Sequence, residues 1–398
     1  MTRYSFLKNL FGVIVLVALA SCKESEIADE TPLPTTRAVF VYMGAENSLS
    51  RWAANDLEEM IEGASLIPRD AKLLVYVDDL RDNPRIYEIS RMRKDTVRLY
   101  TYPNSKCSAD PAEMREVFSR MKALAPAPEY GVVIWSHGCG WLPGVHRHNN
   151  GPQKSVIYDG HGSTADSRTC KMGIEEFAEA MTVLPKLKFL FFDACLMQTI
   201  ETDYALRDVA DYIIASPAEI PGKGATYQRM FQHFFQKSFD PKAIAQQYYD
   251  DEKYAESHTG GGGVVISVVD TRQLEQFAQV TKKLVGGAEL RVNDAQLYWL
   301  FCGKTVDYPD YYDMKGVMRQ FAESEYYAEW CAQRDKTIIA FYATPTWDSV
   351  CDAFSRGWIT DMEDVCGVGI HIPQAKYGSA GRTWDDDIKQ TEWWKAVM

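Results

Sequence analysis

From residue 37 onward, short and nearly all-apolar runs alternate with longer stretches in which apolar residues recur every three or four positions. The runs at 38–43, 72–77, 131–136, 187–192, 212–215, 263–269, 337–342 and 368–372 have the length of strands. Several hold too few polar residues to keep one face wet, so they predict strands covered on both faces. Helical periodicity marks 49–64, 110–124, 174–184, 197–208, 241–252 and 274–285. This alternation predicts an α/β fold, a three-layer αβα sandwich on a mostly parallel central sheet. Residues beyond about 241 either extend that sheet or form a C-terminal subdomain, and the pattern leaves both open. In such sheets reactive side chains gather just past the carboxyl ends of the strands, where loops open a crevice.

The first 36 residues follow another pattern. Arg3 and Lys8 precede an apolar run from Leu10 to Ala20 that is too short to cross a bilayer and has the length of a signal-peptide core. It ends in Leu19-Ala20-Ser21-Cys22, which resembles a bacterial lipobox, where small residues fit the signal peptidase and the cysteine thiol receives lipid. The expectation is a signal peptide over 1–21, lipidation of Cys22, and a polar, acidic tether over 22–36. The domain over 37–398 is then anchored to the bacterial cell envelope, on its periplasmic or outer surface, and does not span the membrane.

Removing 1–21 takes away Arg3 and Lys8 and no acid, moving the formal charge from −12 to −14. With no stripe of Lys and Arg, nucleic acid is excluded as a partner. A hydrophobic content of 46% supplies a sizeable core. Cys107, Cys139, Cys170, Cys195, Cys302, Cys331, Cys351 and Cys366 show neither a small-domain disulfide framework nor paired Cys-x-x-Cys metal spacing, so most are expected to be buried thiols. His146 and His148 have no further ligands near them in sequence and read as a solvated loop, and Asp385-Asp386-Asp387 reads as a surface turn. No metal site is predicted and no cofactor is required, with calcium left open.

Two strand ends carry the candidate chemistry. In Gly131-Val-Val-Ile-Trp-Ser-His137-Gly138-Cys139-Gly140-Trp141 an apolar strand runs into a histidine and a glycine-rich turn. Glycine lets main-chain N–H groups approach a substrate closely, which makes the Gly138 amide a candidate oxyanion donor. In Leu187-Lys-Phe-Leu-Phe-Phe-Asp193-Ala194-Cys195-Leu196-Met197 a second strand ends in an acid, a small residue and a cysteine before a predicted helix. The helix N-terminus is expected to lend Cys195 thiolate character, and a nearby imidazole to serve as its acid and base. Cys139, two residues from His137, reads as packing. Asp193 either binds substrate or bonds neighbouring turn amides.

His-Gly-x-Gly-Trp and Asp-Ala-Cys-Leu-Met-x-x-Ile-Glu, ending at Glu201, resemble the clostripain family of cysteine peptidases, within the caspase and gingipain group. Val39-Phe-Val-Tyr-Met-Gly-Ala-Glu-Asn-Ser-Leu49, Ala215-Ser-Pro-Ala-Glu-Ile-Pro-Gly222 and Gly367-Val-Gly-Ile-His-Ile-Pro373 agree with that family's opening strand, a middle loop and its closing strand. The resemblance implies a caspase-like fold and a peptidase that cuts after Arg or Lys through a thioester on Cys195. It gives His137 the role of general acid and base, the Gly138 and Cys195 amides that of oxyanion donors, and Asp193 that of partner to the basic P1 side chain. It also implies self-cleavage in the loop after the histidine, where Arg147 and Lys154 stand. Ala45-Glu46 replaces the family's commoner Ala-Asp. Pro217-Ala218-Glu219 replaces a more acidic stretch, and that change opens a non-basic P1 preference as the second reading. A cell-surface binding module without turnover is the third.

Overall fold

The residues of Arg37–Ala45 (β1) are all buried, on both faces of the strand, as an apolar run this dense requires. The computed structural model describes residues 33–103, 107–141, 156–160, 170–259, 263–292, 299–302, 309–344, 346–348, 356–358, 365–374 and 385–398. In chain order the further strands are Ala71–Asp79 (β2), Asp82–Ser90 (β3), Asp95–Thr101 (β4), Glu129–Trp135 (β5), Ile157–Asp159 (β6), Cys170–Met172 (β7), Phe189–Asp193 (β8), Tyr212–Ala215 (β9) and Val265–Asp270 (β10). Trp299–Cys302 (β11), Pro309–Asp313 (β12), Ile338–Ala343 (β13), Thr346–Asp348 (β14), Arg356–Trp358 (β15) and Gly369–Ile370 (β16) follow. The helices are Ser50–Glu62 (α1), Pro111–Leu124 (α2), Ile174–Met181 (α3), Ile200–Ala205 (α4), Tyr227–Phe234 (α5), Pro241–Thr259 (α6), Leu274–Val285 (α7), Met314–Met318 (α8), Tyr327–Thr337 (α9) and Glu392–Val397 (α10).

Nine strands form the main sheet in the order β13-β10-β9-β8-β5-β1-β2-β3-β4. The five in the middle, β9-β8-β5-β1-β2, are parallel. Antiparallel pairs close both edges, β10 and β13 on one side and β3 and β4 on the other. Successive side chains on a strand enter different cores, as a period of two demands. Phe40, Tyr42, Val132, Ile134, Leu190 and Phe192 pack with residues of α2 and α3. Val39, Val41, Val133, Phe189 and Phe191 pack with residues of α5 and α6 on the other face. This is the expected three-layer α/β architecture. A third core joins α7, α9 and α10 to β12 and β16.

Departures from the expected elements have local causes. The hairpin β3–β4 went unread because it is an edge meander with much of its length solvated, and Asp82-Asn83-Pro84 at its start looks like a turn. Its anchor is a buried ion pair in which Arg85 donates from Nη1 and Nη2 to the two oxygens of Asp79, at 3.0 and 2.9 Å. The strand expected over 368–372 shrinks to β16, which pairs with β12 outside the main sheet. Cys107 is disulfide-bonded, against the expectation of a thiol, whereas Cys139, Cys195, Cys331 and Cys366 are free. Spacing along the chain cannot reveal a bridge that folding closes. No helix among the described residues is long and apolar enough to cross a membrane.

Gly131 of β5 sits opposite Phe189 of β8 in the parallel ladder. A Cβ there would lie 2.2 Å from the Phe189 ring, which is itself stacked on Phe234 and Phe239 and has nowhere to go. Gly131→Ala is expected to lower stability by about 1–3 kcal/mol in urea unfolding, the ordinary cost of overpacking a core. An unchanged midpoint would contradict the close approach of these strands.

Candidate active site

The β5–β8 ladder sets Trp135 opposite Asp193. His137 and Cys195 each lie two residues past that pair, so the sheet delivers both at one end, on neighbouring strands about 4.8 Å apart. The turn after His137 is pressed against the cysteine. A Cβ on Gly138 would lie 2.6 Å from the Cys195 carbonyl oxygen and 2.9 Å from the Met197 sulfur, so only glycine fits. Gly140 adopts a left-handed φ of 63°. A side chain there would meet the Tyr311 hydroxyl, which donates to the Cys139 carbonyl at 2.9 Å. His137 Nε2 is hydrogen-bonded to Ser48 Oγ at 2.9 Å, and the Tyr158 ring packs edge-on to the imidazole with centroids 6.0 Å apart.

Beyond Asp193 the chain does not enter a helix, contrary to expectation. Residues 194–199 form a turn and a short extended stretch, and α4 begins only at Ile200, capped by the Thr199 hydroxyl. Two backbone hydrogen bonds compete successfully with the helix: Leu196 N donates to Ala218 O at 2.9 Å, and Gln198 N to Ser216 O at 3.0 Å. Leu196 consequently takes a left-handed φ of 63°, a conformation that costs a branched side chain about 1–3 kcal/mol. A helix dipole five residues away gives Cys195 no help. Ile220 flanks its sulfur, with the amide 3.4 Å and the carbonyl 3.9 Å from Sγ. Burial, followed by the charge of Glu219, pushes the thiol up to about 12. Cys195 is itself half-buried, and both influences favour its thiol form over the thiolate.

Asp193 is buried. Its Oδ2 accepts from Ala225 N at 3.0 Å and from the Tyr227 hydroxyl at 2.9 Å, while Oδ1 is sealed without a hydrogen-bond partner. Gly224 closes over this carboxylate, since a Cβ there would sit 2.7 Å from Oδ2. Burial raises Asp193 to about 6 against the pull of its two donors. Behind it Asp56 accepts from Trp135 Nε1 at 2.6 Å and is pushed up to about 9 by burial and by the charges of Asp193 and Glu59. Two buried carboxyl groups repel, and Asp56, with the larger upward shift, gives up its charge.

The sequence profile of the clostripain family (Peptidase_C11) matches residues 41–396. The chain belongs to the clostripain family. It is 29% identical, with a TM-score of 0.78, to a secreted C11 cysteine protease of Bacteroides thetaiotaomicron solved with an irreversible peptide inhibitor, covering 91% of this chain and 99% of that one. A second structure, an inactive zymogen C11 protease from Parabacteroides distasonis, is 26% identical at a TM-score of 0.77, covering 92% and 99%. Clostripain of Hathewaya histolytica is 25% identical over 222 residues, 48% of this chain, and the match spans 41% of that longer protein.

Within this clostripain-family fold, β5 and β8 bring His137, Gly138, Cys195 and Asp193 to one end of the sheet. Arg147, Lys154, His146, His148 and Cys22 lie outside the described residues. Asp385 is more than a surface turn: it accepts from His371 Nε2 and from Gln374 N, both at 2.9 Å. Sequence reasoning missed Ser48, Tyr311, Ile220 and Tyr227. Ser48 and Ile220 stand inside stretches that resemble the family, whereas Tyr311 reaches the histidine turn from 172 positions away.

A raised thiol pKa has a visible consequence. The Cys195-dependent rate of alkylation by iodoacetamide in the uncut, substrate-free chain is expected to be slow at pH 7.5 and to climb steadily through pH 10, because only the thiolate reacts. A rate that levels off below pH 8 would show that the thiolate forms far more easily than this burial allows. Cys195→Ala supplies the blank for the other free thiols.

Proposed function

We propose that this protein is a cysteine endopeptidase that cleaves after Arg or Lys, using Cys195 and His137 as a catalytic pair. The observation that carries the reading is the shared β5–β8 register, with Gly138 packed against the Cys195 carbonyl. In the reaction His137 takes the thiol proton as Cys195 Sγ attacks the scissile carbonyl. The Gly138 and Cys195 amides hold the oxyanion, a contribution of about 3–4 kcal/mol per donor in other acyl-transfer enzymes. His137 then protonates the leaving amine, and water hydrolyses the thioester on Cys195. The Ser48 hydroxyl keeps the imidazole aimed.

Asp193 is the proposed partner of the P1 side chain. Its sealed Oδ1 lacks a donor, and a guanidinium or ammonium supplies one. Because Gly224 covers the carboxylate, the 220–224 segment has to shift before a basic side chain arrives. Asp193→Asn is expected to reduce kcat/KM for Arg and Lys substrates by at least about 30-fold, the low end of the cost of unpairing a buried charge. For wild type, KM for basic P1 substrates is expected to rise as the pH falls through about 6, since the carboxyl then protonates and loses its charge. Fluorogenic peptides differing only at P1 test both statements. Equal turnover of Arg and Asn substrates would favour a non-basic preference.

Self-cleavage after Arg147 or Lys154, removal of residues 1–21 and lipid attachment at Cys22 complete the proposal, placing the peptidase on the cell envelope. Intact mass and gels of wild type beside Cys195→Ala, both expressed in a bacterial host, read all three. Wild type is expected as two associated chains and the variant as one, both carrying the acyl mass on Cys22. An active wild type that stays in one piece removes the self-cleavage. A mature N-terminus without acyl mass removes the anchor.

A further inference from the structure

The segment that covers Asp193 carries a cation of its own. Lys223 stands between Gly222 and Gly224, and its Nζ lies 2.9 Å from Oε1 of Glu252 on α6. The two partners differ in setting, since the lysine side chain is 41% exposed and the Glu252 side chain 2%. Other acids close to this ammonium have donors elsewhere: Asp251 is paired with Arg229, and Glu59 Oε2 accepts from Tyr227 N at 2.9 Å. Glu252 engages the lysine with one oxygen only. Its Oε2 is sealed without a hydrogen-bond partner.

The packing of β8 against α6 brings Glu252 level with Asp193. Phe239, just ahead of α6, stacks on Phe189 with centroids 5.2 Å apart, and Tyr248 meets Phe191 edge-on at 6.0 Å, so strand and helix run the same way. From Phe191 the strand advances about 6.6 Å to Asp193 on the same face. From Tyr248 the helix advances about 6 Å to Glu252. The Tyr248 hydroxyl, on a residue 2% exposed, has no hydrogen-bond partner. Burial, then the charges of Asp193 and Glu252, push this hydroxyl well above its ordinary pKa. Asp193 Oδ1, the Tyr248 hydroxyl and Glu252 Oε2 are therefore three buried oxygens of one neighbourhood that bond nothing. Such groups are costly to seal unless a donor reaches them.

We propose that Glu252 is a second carboxylate of the P1 pocket, that Lys223 neutralises it in the substrate-free chain, and that the basic P1 side chain takes the lysine's place. The inference rests on the basic P1 preference proposed above. Lys223 and Gly224 are neighbours, so the shift that uncovers Asp193 also draws the ammonium off Glu252. The lysine is exposed enough to carry its charge into water as it leaves. An incoming guanidinium has five N–H donors in a planar fork, enough to serve both carboxylates and the Tyr248 hydroxyl together. A neutral P1 side chain forces the same shift and compensates neither acid, which leaves two buried charges bare. The internal lysine thus rejects neutral side chains as well as holding the empty pocket together.

The test measures inhibition by butylguanidine, a bare P1 arm, against cleavage of a fluorogenic Arg peptide by the active full-length protein. Glu252→Gln is expected to weaken the inhibitor and raise KM by at least about tenfold. Lys223→Met, which removes the internal competitor, is expected to tighten butylguanidine by about threefold or more, whereas Lys223→Arg, which keeps the charge, gives no gain. The gain should vanish when Lys223→Met is combined with Glu252→Gln. A gain that persists there shows a loosened segment over Asp193 and overturns the exchange of cations. A Glu252→Gln protein that loses stability with its inhibition constant unchanged overturns the second carboxylate. Should Glu252→Gln not fold, the contrast between Lys223→Met and Lys223→Arg decides, and equal inhibition of the two overturns the proposal. A wild type that cleaves no Arg or Lys peptide removes the basic P1 reading itself. Vigorous cleavage with Glu252→Gln indistinguishable from wild type removes only the inference drawn here.

Discussion

The parallel ladder between β5 and β8 limits how far two remote segments can stray from each other. Once Trp135 faces Asp193, the residues two steps beyond each have no choice but to emerge side by side. The glycines of the histidine turn then do what no other residue can at that spacing. Gly138 lets the turn lie on the Cys195 carbonyl, and Gly140 turns left-handed beneath Tyr311. The ladder in turn depends on the apolar content of its strands, because only strands sealed on both faces sit in the middle of a parallel sheet.

Sealing the sheet creates a difficulty that the fold resolves unevenly. Some buried acids are fully compensated. Asp79 holds Arg85 by both oxygens, and Asp313 receives the amides of Cys366, Gly367 and Lys315. Asp193 and Asp78 are treated differently, each keeping a buried oxygen with no hydrogen-bond partner. A buried orphan acceptor is costly enough that its position is informative.

The segment around Cys195 shows how tertiary hydrogen bonds override local preference. Residues from Met197 onward carry a helical pattern, yet the helix is delayed to Ile200 because Leu196 and Gln198 bond across to Ala218 and Ser216. The result is a half-buried sulfur beside Ile220, its pKa pushed up by burial and by Glu219. In the proposed reaction a thiol of this kind depends on an oriented imidazole, and the Ser48 and Tyr158 contacts hold that of His137.

Much of the molecule was legible in one dimension. Runs such as Val39-Phe-Val-Tyr42 and Phe189-Leu-Phe-Phe192 announce strands buried on both sides, since no polar position is spared for water. The His-Gly and Asp-Ala-Cys motifs announce two strand ends with complementary chemistry. Family membership follows from the same residues and from the order of the flanking stretches. Other features belong to the folded state alone. The edge hairpin β3–β4 gives a weak signal because most of its positions are at least partly exposed. Ser48, Tyr311 and Tyr227 reach the site across long stretches of chain, the disulfide at Cys107 is closed only by proximity, and the acidity of Cys195, Asp193 and Asp78 is set by what surrounds them. A sequence fixes which side chains avoid water and where the chain can turn, because those are local properties of each residue. Which groups meet, and how dry their meeting place is, depends on distances between residues far apart in the chain, and these come into being only when the layers close.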